Sequence, residues 1–170
     1  RKRLAVYLGV GEGSVRTLLN KIDDLVDSSS KGHYLNEKGK KEVEKINECL
    51  IGPKKLVSNI DSEDSSRFAI KLNDHHLEKG TEIRDEIIRG GAKGALVLNV
   101  LGSDVFFPED ETSLNKVYPE LEMELSEKFN LERDGVLLIS WGSDDQGKSC
   151  IRASLVIQDD LKEKIDQIVK

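Results

Sequence analysis

Apolar residues recur at helical spacing at the start of the chain. Leu4, Ala5 and Leu8 make one short apolar face, Gly9 is suited to end a helix in the left-handed conformation, and Val10 can tuck beneath the turn. Val15, Leu18, Leu19, Ile22 and Leu25 then share one face of a second helix, while Ser14, Arg16, Thr17, Asn20 and Lys21 occupy the other. The pattern over Leu4 to Leu25 is helix-turn-helix; its rival, a strand followed by a Gly-rich phosphate loop, lacks the glycine that Ser14 replaces. Val26 to Leu35 has apolar ends and a Ser/Gly centre, which predicts a β-hairpin. Asn36 is placed as an N-cap, and Val43, Ile46 and Leu50 carry a third helical face to about Ile51.

Gly52-Pro53 is expected to end that helix and supply a linker, after which short strands and helices alternate. Strands are predicted over 54–60, 67–72, 95–101, 105–107, 136–141 and 149–157, with an acidic turn at 62–66. Helices are predicted over 75–89, where Gly80 is an alternative start, over 114–129, with Pro119 in the first turn or breaking it, and over 159–169. The expected fold class is α/β (α+β). A helix-turn-helix domain at 1–52 precedes a compact α/β domain with a mixed sheet at 53–170.

Composition narrows the function classes. Hydrophobic residues make up 37% and charged residues 34% of 170, which suits a folded chain whose surface is dense in ion pairs. No run of eighteen apolar residues and no secretory segment is present, so the expected location is the cytoplasm, with no membrane partner. Cys49 and Cys150 lack metal-ligand spacing, as do His33, His75 and His76, and no metal or other cofactor is expected. The net charge of −6 is unevenly spread: residues 1–55 hold 12 Lys and Arg against 8 Asp and Glu, and the remainder 14 against 24. A basic head precedes an acidic body, the polarity expected of a DNA-binding module on a separate domain.

The order helix, turn, helix, hairpin, helix resembles the winged-helix DNA-binding superfamily. Within it, His33-Tyr34-Leu35-Asn36-Glu37-Lys38-Gly39 is similar to the end of the wing in many prokaryotic repressors, with Asn36 in place of the usual Thr. Such domains pack a preceding helix across this pair, so the resemblance implies a natural protein that begins roughly thirty residues earlier and apolar faces left partly uncovered here. Over nearly its whole length the chain resembles a small archaeal family in which a winged helix precedes an α/β domain of unknown function. The likeness rests on Gly11-Glu12-Gly13-Ser14-Val15-Arg16-Thr17, Gly32-His33, Arg84-Asp85, Gly90-Gly91-Ala92-Lys93-Gly94-Ala95, and the proline after the next hairpin. It implies a fold and supplies no catalytic residues.

Several motifs have plainer explanations. Gly142 to Ser149 fits the Walker A pattern, but the following residues alternate like a strand and Asp144-Asp145 would repel phosphate, so a hairpin tip is expected. Gly90 to Ala95 reads as a tight helix-to-strand turn, and Arg84 and Asp85 as members of separate surface ion pairs. His75-His76 reads as capping or surface residues, and Trp141 as closing the sheet or lining a pocket.

The leading expectation is a regulator that binds double-stranded DNA. Ser14, Arg16, Thr17 and Asn20 belong to the face that meets base edges, and Arg1, Lys2, Arg3, Lys21, Lys31 and His33 approach phosphates. The acidic domain then senses a small-molecule effector or forms a homodimer. The alternatives are a small-molecule-binding protein or metabolic enzyme with its chemistry in the second domain, and a protein-protein adaptor; no catalytic constellation is legible.

Overall fold

The computed structural model of the chain describes residues 1–60, 66–142 and 146–157. It divides into two compact units, Arg1–Asn47 and Glu48–Gln158. The first contains α1 (Lys2–Leu8), α2 (Glu12–Lys21), a hairpin of β1 (Val26–Ser29) and β2 (Gly32–Leu35), and the start of α3 (Glu37–Cys49). This is the order the apolar spacing predicts. Gly9 ends α1 with φ 64°, and the amide of Val10 reaches back to the Ala5 carbonyl at 3.0 Å. Asn36 caps α3 by accepting the Gly39 amide at 2.9 Å. Ala5, Val15 and Leu25 are buried, whereas Leu4, Leu8 and Leu18 stay more than a third exposed and Val6 is 83% exposed. The helical apolar faces are thus partly uncovered.

The second unit contains β3 (Leu50–Leu56), β4 (Ser66–Asn73), α4 (Thr81–Arg89), β5 (Gly94–Leu101), β6 (Asp104–Phe106), α5 (Leu114–Val117), α6 (Pro119–Lys128), β7 (Gly135–Gly142) and α7 (Gln146–Ile157). Its sheet has the order β3-β4-β7-β5-β6. Every pairing is antiparallel, so the expected mixed sheet is corrected. The helical connection between β4 and β5 leaves those two strands parallel, but β7 inserts between them and runs against both.

Other elements also depart from the sequence pattern. Gly52-Pro53 lies inside β3, not in a linker: the register shifts between Ile51 and Lys54, and such an irregularity at an edge strand tolerates a residue without an amide hydrogen. Residues 75–80 precede the helix, which starts after Gly80. Pro119 divides the 114–129 segment by opening α6 at its first position, where a missing N–H costs nothing. The predicted strand over 149–157 is helical: Cys150, Ala153 and Ser154 are buried at helical spacing, and their small side chains let α7 lie against β4 and β7. The predicted 62–66 turn lies outside the described residues except for Ser66, which begins β4, and the predicted 159–169 helix lies wholly outside them.

Helices cover both faces of the sheet. Ala69, Leu98, Val100, Leu137 and Ile139 pack with Leu114 of α5 and with Leu121 and Leu125 of α6. Strand alternation sends Ile70, Leu72, Val97, Val136 and Leu138 to the opposite face, where α4 and α7 lie. Gly94 is required by packing: a Cβ there would stand 2.3 Å from Cζ2 of Trp141.

Candidate nucleic-acid interface

In the first unit, α2 begins without a side-chain cap at Gly11 and buries Val15. The opposite side follows from the 3.6-residue period: Ser14, Arg16, Thr17, Asn20 and Lys21 are all exposed. Thr17 donates its hydroxyl to the Gly13 carbonyl at 3.2 Å, which orients Oγ1 along the helix while leaving its lone pairs open. Lys21 lies in the last turn, where the helix dipole favours a cation.

The hairpin brings together residues distant in sequence. Arg1 Nε donates to His33 Nε2 at 3.3 Å, and His33 Nδ1 lies 2.9 Å from Ser28 Oγ. An accepting Nε2 puts the imidazole proton on Nδ1, where it donates to Ser28. Lys31 is exposed at the hairpin tip, its amide held by Ser29 Oγ at 3.1 Å. Lys2 and Arg3 are exposed on α1. Among the described residues, none of Lys2, Arg3, Arg16, Lys21 and Lys31 is in an ion pair within 4 Å. By contrast Lys38 pairs with Asp24, whose hydrogen bond and charge raise the lysine's pKa. Among the described residues, the exposed cations of α1, α2 and the hairpin tip are thus outside any ion pair, as is Lys41 on α3.

The second unit holds polar groups that its apolar strand pattern conceals. Lys71 is fully buried on β4, and its Nζ donates to Asn73 Oδ1 at 2.7 Å and to the Arg133 carbonyl at 2.6 Å. Burial, reinforced by the Arg133 charge, pushes its pKa below the ordinary lysine value. Buried Glu124 accepts the amides of Val57 and Ser58 at 2.8 and 2.7 Å; desolvation opposes ionisation, but these bonds with the Ser58 hydroxyl and Lys128 outweigh it and hold the carboxyl below its usual range. Asn99, 1% exposed on β5, accepts the Leu77 amide at 3.1 Å and donates to the Leu77 carbonyl at 2.8 Å. A lone asparagine in the apolar run 95–101 was the available signal for this clamp.

The motifs weighed from sequence resolve unequally. Arg84 and Asp85, expected in separate ion pairs, approach each other at 3.7 Å on the surface of α4. His75 Nδ1 lies 2.6 Å from the Asn73 carbonyl and His76 stacks at a tilt on Phe106, so both rings have structural partners. Trp141 covers Gly94 at the sheet end. Helix α7 begins inside the 142–149 motif, at Gln146, against the expected hairpin tip and strand, although 143–145 lie outside the described residues. Ser149, however, is buried and donates its hydroxyl to the Gly90 carbonyl at 3.0 Å, which joins α7 to the turn after α4. A cavity of about 250 Å³ lies beside β5, with Arg84 and Glu109 among its lining residues. Among the described residues, no helix is long and apolar enough to cross a membrane.

Comparison with known proteins covers both units. The model of a domain of unknown function (DUF4443) matches residues 62–159, and that of the PH0730-like N-terminal domain matches residues 1–41. The solved structure of hypothetical protein PH0730 from Pyrococcus horikoshii OT3 is 31% identical, with a TM-score of 0.79 over 99% of this chain and 89% of that one. No curated protein matches the chain.

Proposed function

The chain belongs to the DUF4443 family, and from that premise we propose that it is a DNA-binding transcriptional regulator whose first unit is a winged helix. The observation that carries the reading is the exposed face of α2, where Arg16, Thr17, Asn20 and Lys21 stand together with neither cation in an ion pair among the described residues. Side chains of this length on a helix suit the major groove: Arg16 makes bidentate contact with guanine, and Asn20 with adenine. Lys31 at the hairpin tip, with Arg1 and His33 behind it, takes the adjoining phosphates. The acidic second unit, in this reading, dimerises or senses an effector.

The test is binding of the whole protein to its own upstream DNA and to random duplex over a range of salt. With about five to eight phosphate contacts per head, the log-log salt slope is about −5 to −7. Arg16→Ala and Asn20→Ala each remove about 1–3 kcal/mol of discrimination and leave most of the salt slope in place. Absence of binding at low salt, or equal binding to both duplexes that neither variant alters, would refute base reading by α2.

A further inference from the structure

The hairpin that ends β5 leaves the side of that strand away from β7 only partly paired among the described residues. Its two-residue turn, Gly102-Ser103, has positive φ at both positions, so Leu101 and Asp104 form the hydrogen-bonded pair that closes it. Backbone direction alternates, and therefore the odd-numbered residues of β5 turn their amides and carbonyls outward, away from β7. The other side of β7 agrees: the Asp74 amide bonds the Asp134 carbonyl at 3.0 Å, which assigns its even-numbered residues to β4 and its odd-numbered ones to β5. Continued in register, β6 would set residue 108 opposite Val97. That residue is Pro108, which has no N–H to give, and β6 ends at Phe106. The chain peels away to α4, where Glu109 Oε1 accepts the Gly80 amide at 2.9 Å and the Thr81 hydroxyl lies 3.3 Å away. Among the described residues, no strand stands opposite the outward groups of Val97 and Ala95.

The space so opened is the cavity of about 250 Å³, lined by Ala95, Val97, Phe107, Arg84 and Glu109 among others. At ~30 Å³ per water it has the volume of about eight waters, enough for a ligand of roughly ten heavy atoms. Two opposite charges face it, and among the described residues they form no ion pair with each other; the ion pair Arg84 makes there is with its neighbour Asp85, at 3.7 Å. A simple anion would meet Glu109, and a simple cation would meet Arg84. A dipolar ion answers both.

We propose that this cavity binds a free α-amino acid. The ligand carboxylate sits on the Arg84 guanidinium, whose planar fork matches it. The ammonium is shared by Glu109 Oε2 and an outward carbonyl of β5, a carboxylate supports a neighbouring amide, and the side chain lies against Phe107. The site deepens the effector-sensing half of the proposed function, and it depends on the second unit alone.

The experiment is calorimetric titration of the whole protein, without DNA, with each proteinogenic L-amino acid at up to millimolar concentration. At least one binds saturably. Its decarboxylated amine and its N-acetyl derivative each bind at least about tenfold more weakly, as do Arg84→Ala and Glu109→Gln. Glu109→Gln keeps an oxygen for the Gly80 amide, and an unchanged melting curve verifies its fold. No saturable binding by any amino acid, or binding that persists in both variants, overturns the proposal. Either result leaves DNA reading to be judged by its own salt and base-preference measurements.

Discussion

Replacing Asn99 by aspartate is expected to make the stability of the second unit depend on pH in a way the wild type is not. The asparagine is 1% exposed, and its two bonds to Leu77 at 3.1 and 2.8 Å anchor the stretch that leads into α4. Aspartate keeps the acceptor for the Leu77 amide but sets an oxygen without a proton against the Leu77 carbonyl. A buried polar group left unsatisfied costs about 1–3 kcal/mol, and a buried charge facing a carbonyl adds to that. At neutral pH the variant is therefore less stable by roughly 3 kcal/mol, a fall in the melting temperature of this unit of about 13 °C. Protonation of the introduced carboxyl restores the donor. That carboxyl is destabilised as an anion, so its folded pKa is raised above the unfolded value of about 3.9. The penalty is then smallest below about pH 4 and grows as pH rises through the folded pKa. Asn99→Leu, which cannot titrate, loses a similar amount at every pH. The assay is thermal melting of the three proteins from pH 4 to 8 by circular dichroism. A pH-independent gap between Asn99→Asp and wild type would refute the hydrogen-bond arrangement on which the magnitude rests.

Three further outcomes follow from the same geometry. Glu124 has a carboxyl held below its ordinary range, so its contribution is present above the unfolded carboxylate pKa and fades as pH falls through the folded one; the stability gap between wild type and Glu124→Gln should narrow in acid denaturation below about pH 4.5. Gly94→Ala places a methyl 2.3 Å from the Trp141 ring, and because Trp141 is the sole tryptophan, displacement of its indole appears as a shift of intrinsic fluorescence together with a loss of roughly 1–3 kcal/mol. Cys150 is buried beside Ser140 Oγ, and its thiol is pushed up to about 12, chiefly by desolvation. A thiol reagent should label the half-buried Cys49 in the native protein and reach Cys150 only after unfolding.

The sequence by itself determined what local periodicity controls. The capped and terminated elements of the first unit were legible because a glycine at φ 64° and an asparagine that accepts an amide three residues on act within one turn of chain. The apolar runs in β5 and β7 were legible because strands buried on both faces have few polar positions. The tertiary structure decided what depends on facing surfaces. The segment from Cys150 to Ile157 offers apolar residues at both strand and helix spacing, and the sheet face against which Cys150 and Ala153 pack selected the helix. Strand order was likewise beyond local reading, since nothing between β5 and β7 specifies that β7 inserts beside β4 and makes every pair antiparallel. Arg84 and Glu109 reach one cavity across 25 positions of sequence because Pro108 cannot extend β6. A side chain's conformational period is fixed by its own backbone, whereas its partner is fixed by contacts that exist only after the chain has closed on itself.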